Sequence, residues 1–275
     1  MLVLLLVATA IRVQAQTKQD TIPAVLVYKK IDTLSLKIHV FKPAGFDAAK
    51  KYPAIIFFFG GGWINGNIRQ FQKQALYLAS RGMVTILTDY RVKSRHQTTP
   101  FEAVADGKSA VRYVRAHAGE LNIDSNRIAA AGGSAGGHVA AATDLTKLDE
   151  PSEDAKISSR PNALILFNPV FNNGPGEYGH DRIGDRYSDI SPYHNITKGA
   201  APTLVMLGTS DKLVSVKTAE AYKTKMTESG NRCDLILYPN EPHGFFNRGE
   251  SFTKTLRETD VFLKSLGYVA GEPTL

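Results

Sequence analysis

The chain has 275 residues, is 43% hydrophobic and 21% charged, and contains one cysteine. That apolar fraction excludes a disordered chain, a single cysteine excludes an internal disulfide framework, and the length suits one large domain or at most two small ones. The formal charge of +7 is spread along the sequence, with no basic run interleaved with aromatics, so it carries no signal for nucleic acid.

The first element is a leader. Leu2 to Ala10 is an apolar stretch, no Lys or Arg precedes it, and Val13-Gln14-Ala15 has the small-x-small pattern of a signal-peptidase site. It is far shorter than the roughly 20 residues needed to cross a bilayer. The expectation is a signal peptide over 1–15 and one catalytic domain over 16–275. The mature protein would be exported to the periplasm or extracellular space of a bacterium, without stable membrane insertion. Two strands follow, Ala24 to Tyr28 and Leu34 to Phe41, as an antiparallel opening. The run from Ala54 to Gly60 has no polar alternation, as in a parallel strand covered on both faces. After it the pattern predicts a helix from Phe71 to Arg81, a strand from Val84 to Thr88 and a helix from Glu102 to Ala118. A strand from Arg127 to Ala131 then leads into a small-residue helix from Ser134 to Leu145. Strands at Ala163 to Phe167, Thr203 to Leu207 and Leu235 to Tyr238 alternate with helices at Val216 to Glu228 and Phe252 to Leu266. Strands separated by helices mean an α/β fold, a mostly parallel sheet with helices on both faces and its site at the carboxyl ends of the strands. Residues 168–198 break the rhythm, rich in Gly, Asn, Asp and Tyr without a long apolar run. A connection that long is expected to form a lid or substrate-binding insert.

The chemistry lies at three strand ends. Gly132-Gly133-Ser134-Ala135-Gly136 is a G-x-S-x-G turn between a strand and a helix, the setting of a nucleophile elbow. A serine hydroxyl needs a base to take its proton. Of the seven histidines, His243 lies in the loop after the last strand, the position for that base. His39 and His117 sit within elements, His138 follows the elbow too closely to turn back over it, and His96, His180 and His194 read as structural or substrate-contact loop residues. Asp211 follows the strand ending at Leu207 and supplies the orienting acid, giving the order Ser134, Asp211, His243. Asp181, Asp185 and Asp189 compete only from within the insert, and Glu241 reads as a loop residue. Phe59-Gly60-Gly61-Gly62-Trp63 follows the most apolar strand, and its glycines let backbone N–H groups approach an acyl group. It is not a phosphate-binding loop, because no Gly-Lys-Ser/Thr follows. No cluster has zinc spacing, so the expectation is neither metal nor cofactor.

These motifs resemble the alpha/beta-hydrolase superfamily, close to its hormone-sensitive-lipase-like and bacterial carbohydrate-esterase members. The resemblance covers nearly all of the chain after the leader. It implies an oxyanion hole from Gly61, Gly62 and Ala135. Phe59 stands where those families usually carry histidine, which leaves open how the glycine loop is held. Asp89-Tyr90-Arg91 matches the family's Asp-Tyr-Arg and is expected to support the site. Val92-Lys93-Ser94-Arg95 departs from the Leu-Ala-Pro-Glu of lipase-like members, which favours the small secreted acetyl or feruloyl esterases. The expected reaction is ester hydrolysis through an acyl-serine, on an acylated saccharide such as xylan; Trp63 and Tyr178 are candidates for stacking on sugar or aromatic acyl groups, with ordinary core packing as the alternative for each. The competing readings are a short-chain carboxylesterase or lipase-like enzyme, an exopeptidase resembling prolyl oligopeptidase, and a non-catalytic binding module. The last requires that Ser134, Asp211 and His243 fail to converge.

Overall fold

A computed structural model describes residues 22–275; the expected leader and its cleavage site lie outside the described residues. The described chain forms an eight-stranded sheet in the order β1-β2-β4-β3-β5-β6-β7-β8. In chain order the elements are β1 (Ala24–Ile31), β2 (Leu34–Phe41), β3 (Tyr52–Phe58), α1 (Gln72–Ser80), β4 (Val84–Thr88), α2 (Lys93–His96) and α3 (Pro100–Ala116). There follow β5 (Ile123–Gly133), α4 (Ala135–Leu145), β6 (Ala163–Phe167), α5 (His180–Ile183), β7 (Thr203–Gly208), α6 (Val216–Glu228), β8 (Cys233–Tyr238) and α7 (Gly249–Ser265). β1 and β2 pair antiparallel, β2 joins β4 antiparallel, and every pair from β4 to β8 is parallel.

The unbroken apolar runs of the central strands have the cause the sequence suggested. Ile56 and Phe58 of β3 pack into a core on one face with Val104 and Val111 of α3 and Val139 of α4. Ile55 and Phe57 point to the other face, where Ala75 and Leu78 of α1 and Phe262 and Leu263 of α7 cover them. Both side-chain directions of each strand are therefore dry. Helix α3 begins where its own side chains dictate. Thr99 and Glu102 form a reciprocal capping box and Pro100 occupies the first turn, so the helix starts two residues before the periodic pattern. The lone Cys233 is buried on β8.

The sheet order places the site. From β3 the chain moves to β4 on one side, then returns to β5 on the other. The loops after β3 and β5 thus leave neighbouring strands toward opposite faces, and the crevice between them is the switch point of a doubly wound sheet. The register sharpens this. Phe58 pairs with Gly132, so the chain beyond β3 runs alongside Gly133 and Ser134. Gly133 pairs with Phe167, which sets the first residue after β6, Asn168, beside Ser134.

Residues 168–198, the expected lid or substrate-binding insert, are fixed to the core at single apolar positions. Val170, Phe171, Ile183, Ile190 and Ile196 are buried, and Phe171 stacks on Tyr222 of α6 with ring centroids 4.4 Å apart. Single apolar anchors separated by polar turns hold the insert down. They form no run, which is why a search for runs passes over them.

Candidate active site

Ser134 is the turn between β5 and α4, with φ 54° and ψ −121°. A non-glycine residue in that region costs about 1–3 kcal/mol and persists only where its surroundings impose it. Here they do: the Ser134 N–H donates to the Phe167 carbonyl at 3.0 Å, and its carbonyl accepts from His138 and Val170. The flanking glycines are required by contact rather than by φ. A Cβ on Gly136 would lie 2.2 Å from the Phe58 carbonyl oxygen, and one on Gly132 2.2 Å from that of Gly136.

His243 bridges the two partners that the sequence assigned to it. Its Nε2 is 2.8 Å from Ser134 Oγ and its Nδ1 is 2.7 Å from Asp211 Oδ2. An ionised carboxylate only accepts, so Nδ1 carries the proton and the Nε2 lone pair faces the serine hydroxyl. The Asp211 carboxylate is fully buried, and its other oxygen accepts from the Leu213 and Val214 amides at 2.8 and 3.0 Å. With both oxygens held, it has one orientation toward the imidazole. The two loops are tied to each other: Ser210 N–H donates to the Glu241 carbonyl, which packs so closely on Gly208 that a Cβ there would be 2.1 Å away.

The glycine loop after β3 lies against the elbow, as the register requires. A Cβ on Gly60 would stand 3.3 Å from that of Ser134. Gly61 and Gly62 adopt φ of 136° and 64°, conformations natural to glycine. Among the described residues no intrachain hydrogen bond occupies the Gly61 or Gly62 amide. Ala135 is the first residue of α4, so its N–H has no partner within that helix. Gly61 and Gly62 line one cavity with Ser134, and Ala135 follows it in the chain, so all three amides lie around the serine.

Phe59, in place of histidine, raised the question of what holds this loop. It stacks on Tyr90 with centroids 4.2 Å apart, and the Tyr90 hydroxyl donates to the Phe59 carbonyl at 2.5 Å. Burial pushes the Tyr90 phenol far above its usual pKa, so it remains a donor. Gln70 Oε1 accepts from the Gly60 N–H at 2.6 Å, and the Gly61 carbonyl accepts from Ile64 and Asn65. Lys93 and Ser94 of α2 donate to the Trp63 and Ile64 carbonyls.

A cavity of about 290 Å³ opens over Ser134, bordered by Gly60–Gly62, Asn168, Tyr178, Phe246 and Asn247. Ile64 and Leu213 also line it and are 37% and 42% exposed. Trp63 is a correction. It is 2% exposed, meets the edge of His138 at 5.0 Å, and packs so tightly that a Cβ on Gly179 would be 2.7 Å from its ring. Its positive φ turns the indole into the core instead of the cavity. Burial lowers the pKa of His138 to about 4, so this neighbour is a neutral packing group. Tyr178 does reach the cavity, but the Arg182 guanidinium covers its ring at 5.0 Å. What it offers a substrate is its hydroxyl edge.

Asn168 was not singled out by sequence reasoning, which assigned it to the insert. It is fully buried, its Oδ1 accepts from Gly244 N–H at 3.1 Å, and its Nδ2 lies 3.4 Å from His243 Nε2. Its place directly after the strand beside the elbow was the available signal. Gln70 gave none, because its role depends on a loop that folds back ten residues later. Among the described residues no group of acidic, histidine or cysteine side chains is arranged to hold a metal, and no helix is long and apolar enough to cross a membrane.

Comparison with known proteins agrees with this architecture. The BD-FAE family model matches residues 38–167. Esterase LipC of Mycobacterium tuberculosis is 30% identical over 71% of this chain and 54% of its own length. The acetylxylan esterase of Xylanibacter ruminicola is 28% identical over 76% of this chain and 43% of its own. The chain thus spans about half the length of these curated relatives. It matches a solved structure throughout: Thermogutta terrifontis esterase 2, phosphoramylated by tabun, is 42% identical over 95% of this chain and all of that one, with a TM-score of 0.87. An eight-stranded, mostly parallel sheet, an elbow serine at its switch point and that likeness over 95% of the chain lead to one placement: the chain belongs to the alpha/beta-hydrolase superfamily.

Proposed function

We propose that the protein hydrolyses esters of short acyl groups by a Ser134-His243-Asp211 acyl-enzyme mechanism, with an acylated saccharide such as xylan as the alcohol side. The observation that carries this is the His243 ring, within hydrogen-bond distance of Ser134 and Asp211 at once. His243 Nε2 takes the hydroxyl proton as Oγ adds to the ester carbonyl. The amides of Gly61, Gly62 and Ala135 hold the oxyanion. The imidazolium then gives its proton to the departing alkoxide as the carbon–oxygen bond breaks. A water, deprotonated by the same nitrogen, adds to the acyl carbon; the imidazolium then returns that proton to Ser134 Oγ as the Oγ–acyl bond breaks and the acid leaves. Asp211 stays ionised and stabilises the imidazolium in both steps.

The polar lining from Asn65, Gln70, Asn168 and Asn247 supports a hydroxylated alcohol moiety, as does the acetylxylan esterase relative. A second reading, a general short-chain carboxylesterase, is favoured by the exposed Ile64 and Leu213 at the mouth. The Thermogutta esterase, also solved with propionate and with butyrate bound, supports short acyl groups under either reading. Assay of p-nitrophenyl acetate and octanoate beside acetyl-xylan and methyl ferulate separates these readings. The expected result is kcat/KM at least roughly tenfold higher on acetate than on octanoate, in line with the short acids bound by the Thermogutta esterase. Octanoate preferred over acetate sinks the short-acyl assignment. Activity on p-nitrophenyl esters, with none on acetyl-xylan or methyl ferulate, leaves the general carboxylesterase.

Export is proposed with this function, on the sequence of the leader. Amino-terminal sequencing of protein from the periplasm or medium is expected to begin Gln16-Thr17-Lys18. Protein retained in the cell and starting at Met1 would contradict it.

A further inference from the structure

We propose that Arg182, from the insert, is a positioning residue for the oxyanion loop. Its Nη1 donates to the Gly62 carbonyl at 3.2 Å and to the Tyr178 hydroxyl at 3.0 Å, while the guanidinium lies over the Tyr178 ring. The approach is close enough that a Cβ on Gly62 would stand 2.9 Å from Nη1 and 3.0 Å from Tyr178 Oη. Arg182 and Tyr178 thus form a latch between the insert and the loop. This rests on the proposed oxyanion role of the Gly62 amide.

The argument is one of torsions. The Gly62 N–H shares a peptide plane with the Gly61 carbonyl, which accepts from Ile64 and Asn65 at 3.1 and 3.2 Å. That fixes the plane on its amino-terminal side. On the other side only φ and ψ of Gly62 remain, and glycine leaves both soft. Binding the Gly62 carbonyl to Arg182 removes that freedom. The N–H is then bracketed by two tied carbonyls, with no histidine in the loop to do it. Oxyanion donors act in the transition state only when already aimed, so loosening the bracket lowers kcat more than it weakens substrate binding. The single Nη1 serves both acceptors, so Tyr178 sets where the guanidinium sits. The Tyr178 hydroxyl accepts from Arg182 at the border of the cavity that Tyr178 lines. The insert's part in the site is therefore to stiffen the catalytic loop through this pair.

The experiment measures kcat and KM on p-nitrophenyl acetate for the wild-type chain, Ser134→Ala, Arg182→Met, Arg182→Lys and Tyr178→Phe. Arg186→Met is the control, an exposed arginine of the same insert that pairs with Asp189. Arg182→Met keeps the packing stem and loses the donors. Its kcat is expected to fall about 10- to 100-fold with KM within about threefold, less than outright loss of an oxyanion donor. Arg182→Lys, which keeps charge and N–H donors but not the planar group over the Tyr178 ring, is expected to recover part of that loss, and Tyr178→Phe to lose less than Arg182→Met. Arg186→Met should behave as wild type. A kcat for Arg182→Met within about twofold of wild type, or a rise in KM with kcat unchanged, overturns the latch. If Arg182→Met does not fold, Tyr178→Phe decides: a kcat indistinguishable from wild type overturns the latch, and a lower kcat at unchanged KM supports it. An inactive wild-type chain, or full activity in Ser134→Ala, instead refutes the serine esterase reading beneath it.

Discussion

Ser134→Ala is expected to reduce kcat on p-nitrophenyl acetate by roughly 10⁶-fold, and Asp211→Asn by roughly 10⁴-fold, the scale on which members of such a unit act. The first removes the atom that bonds to the acyl carbon. The second keeps the shape of the acid but changes what it can do at His243. An amide oriented to donate toward Nδ1 forces the proton to Nε2, leaving no lone pair to take the proton of Ser134. Both Asp211 oxygens are engaged, one by His243 and the other by two backbone amides, so the exchanged amide has little room to escape by rotation. The double variant is expected to be no worse than Ser134→Ala alone, because a base with no nucleophile to activate contributes nothing further. Steady-state kinetics per mole of homogeneous protein measures all three, with burst titration counting active sites in the wild-type chain and in Asp211→Asn. An Asp211→Asn variant within tenfold of wild type would exclude Asp211 as the orienting acid.

The elements that the sequence exposed most clearly are those whose local pattern and global role coincide. The run over Ala54–Phe58 is apolar on both faces because helices cover both faces of β3, and the pattern alone carries that fact. Ser134, Asp211 and His243 could be singled out because each lies in the turn or loop after a strand, in a fold whose sites lie at strand ends. What stayed hidden depends on register and on long-range closure. Asn168 meets His243 across 75 positions of sequence, and only the pairing of β5 with β6 sets it beside the elbow. Trp63 suggested a stacking surface because a tryptophan after a glycine loop can point either way; the backbone turn at that residue sends it inward. Arg182 carried no sequence signal, since it reaches Gly62 across 120 positions. Residue type shows which chemistry is available, and sheet register decides which residues share it.

Asp106→Ala is expected to destabilise the fold by about 3–5 kcal/mol, the cost of leaving buried cations without their carboxylate. Asp106 is fully buried on α3. Its Oδ1 accepts from Lys29 Nζ at 2.9 Å and Arg91 Nη2 at 2.8 Å, and its Oδ2 from the Arg91 N–H and Nε at 3.0 and 2.8 Å. Lys29 retains Glu150 at 2.6 Å, whereas Arg91 loses its bidentate partner and a backbone bond together. The loss falls next to the site, because Arg91 follows Tyr90, whose hydroxyl holds the Phe59 carbonyl at the start of the glycine loop. A stability defect here should therefore bring an activity defect, even at temperatures where the variant is folded. Asp47→Ala is the comparison: its pair with Lys50 is exposed on both sides, and its ion pair is worth less than about 1 kcal/mol. Thermal unfolding is expected to lower Tm by on the order of 10 °C for Asp106→Ala and by little for Asp47→Ala. Equal shifts in the two variants would show that the buried cluster contributes no more than a surface pair. The Asp-Tyr-Arg segment would then support the loop through Tyr90 alone, and kcat of the folded Asp106→Ala variant should match wild type.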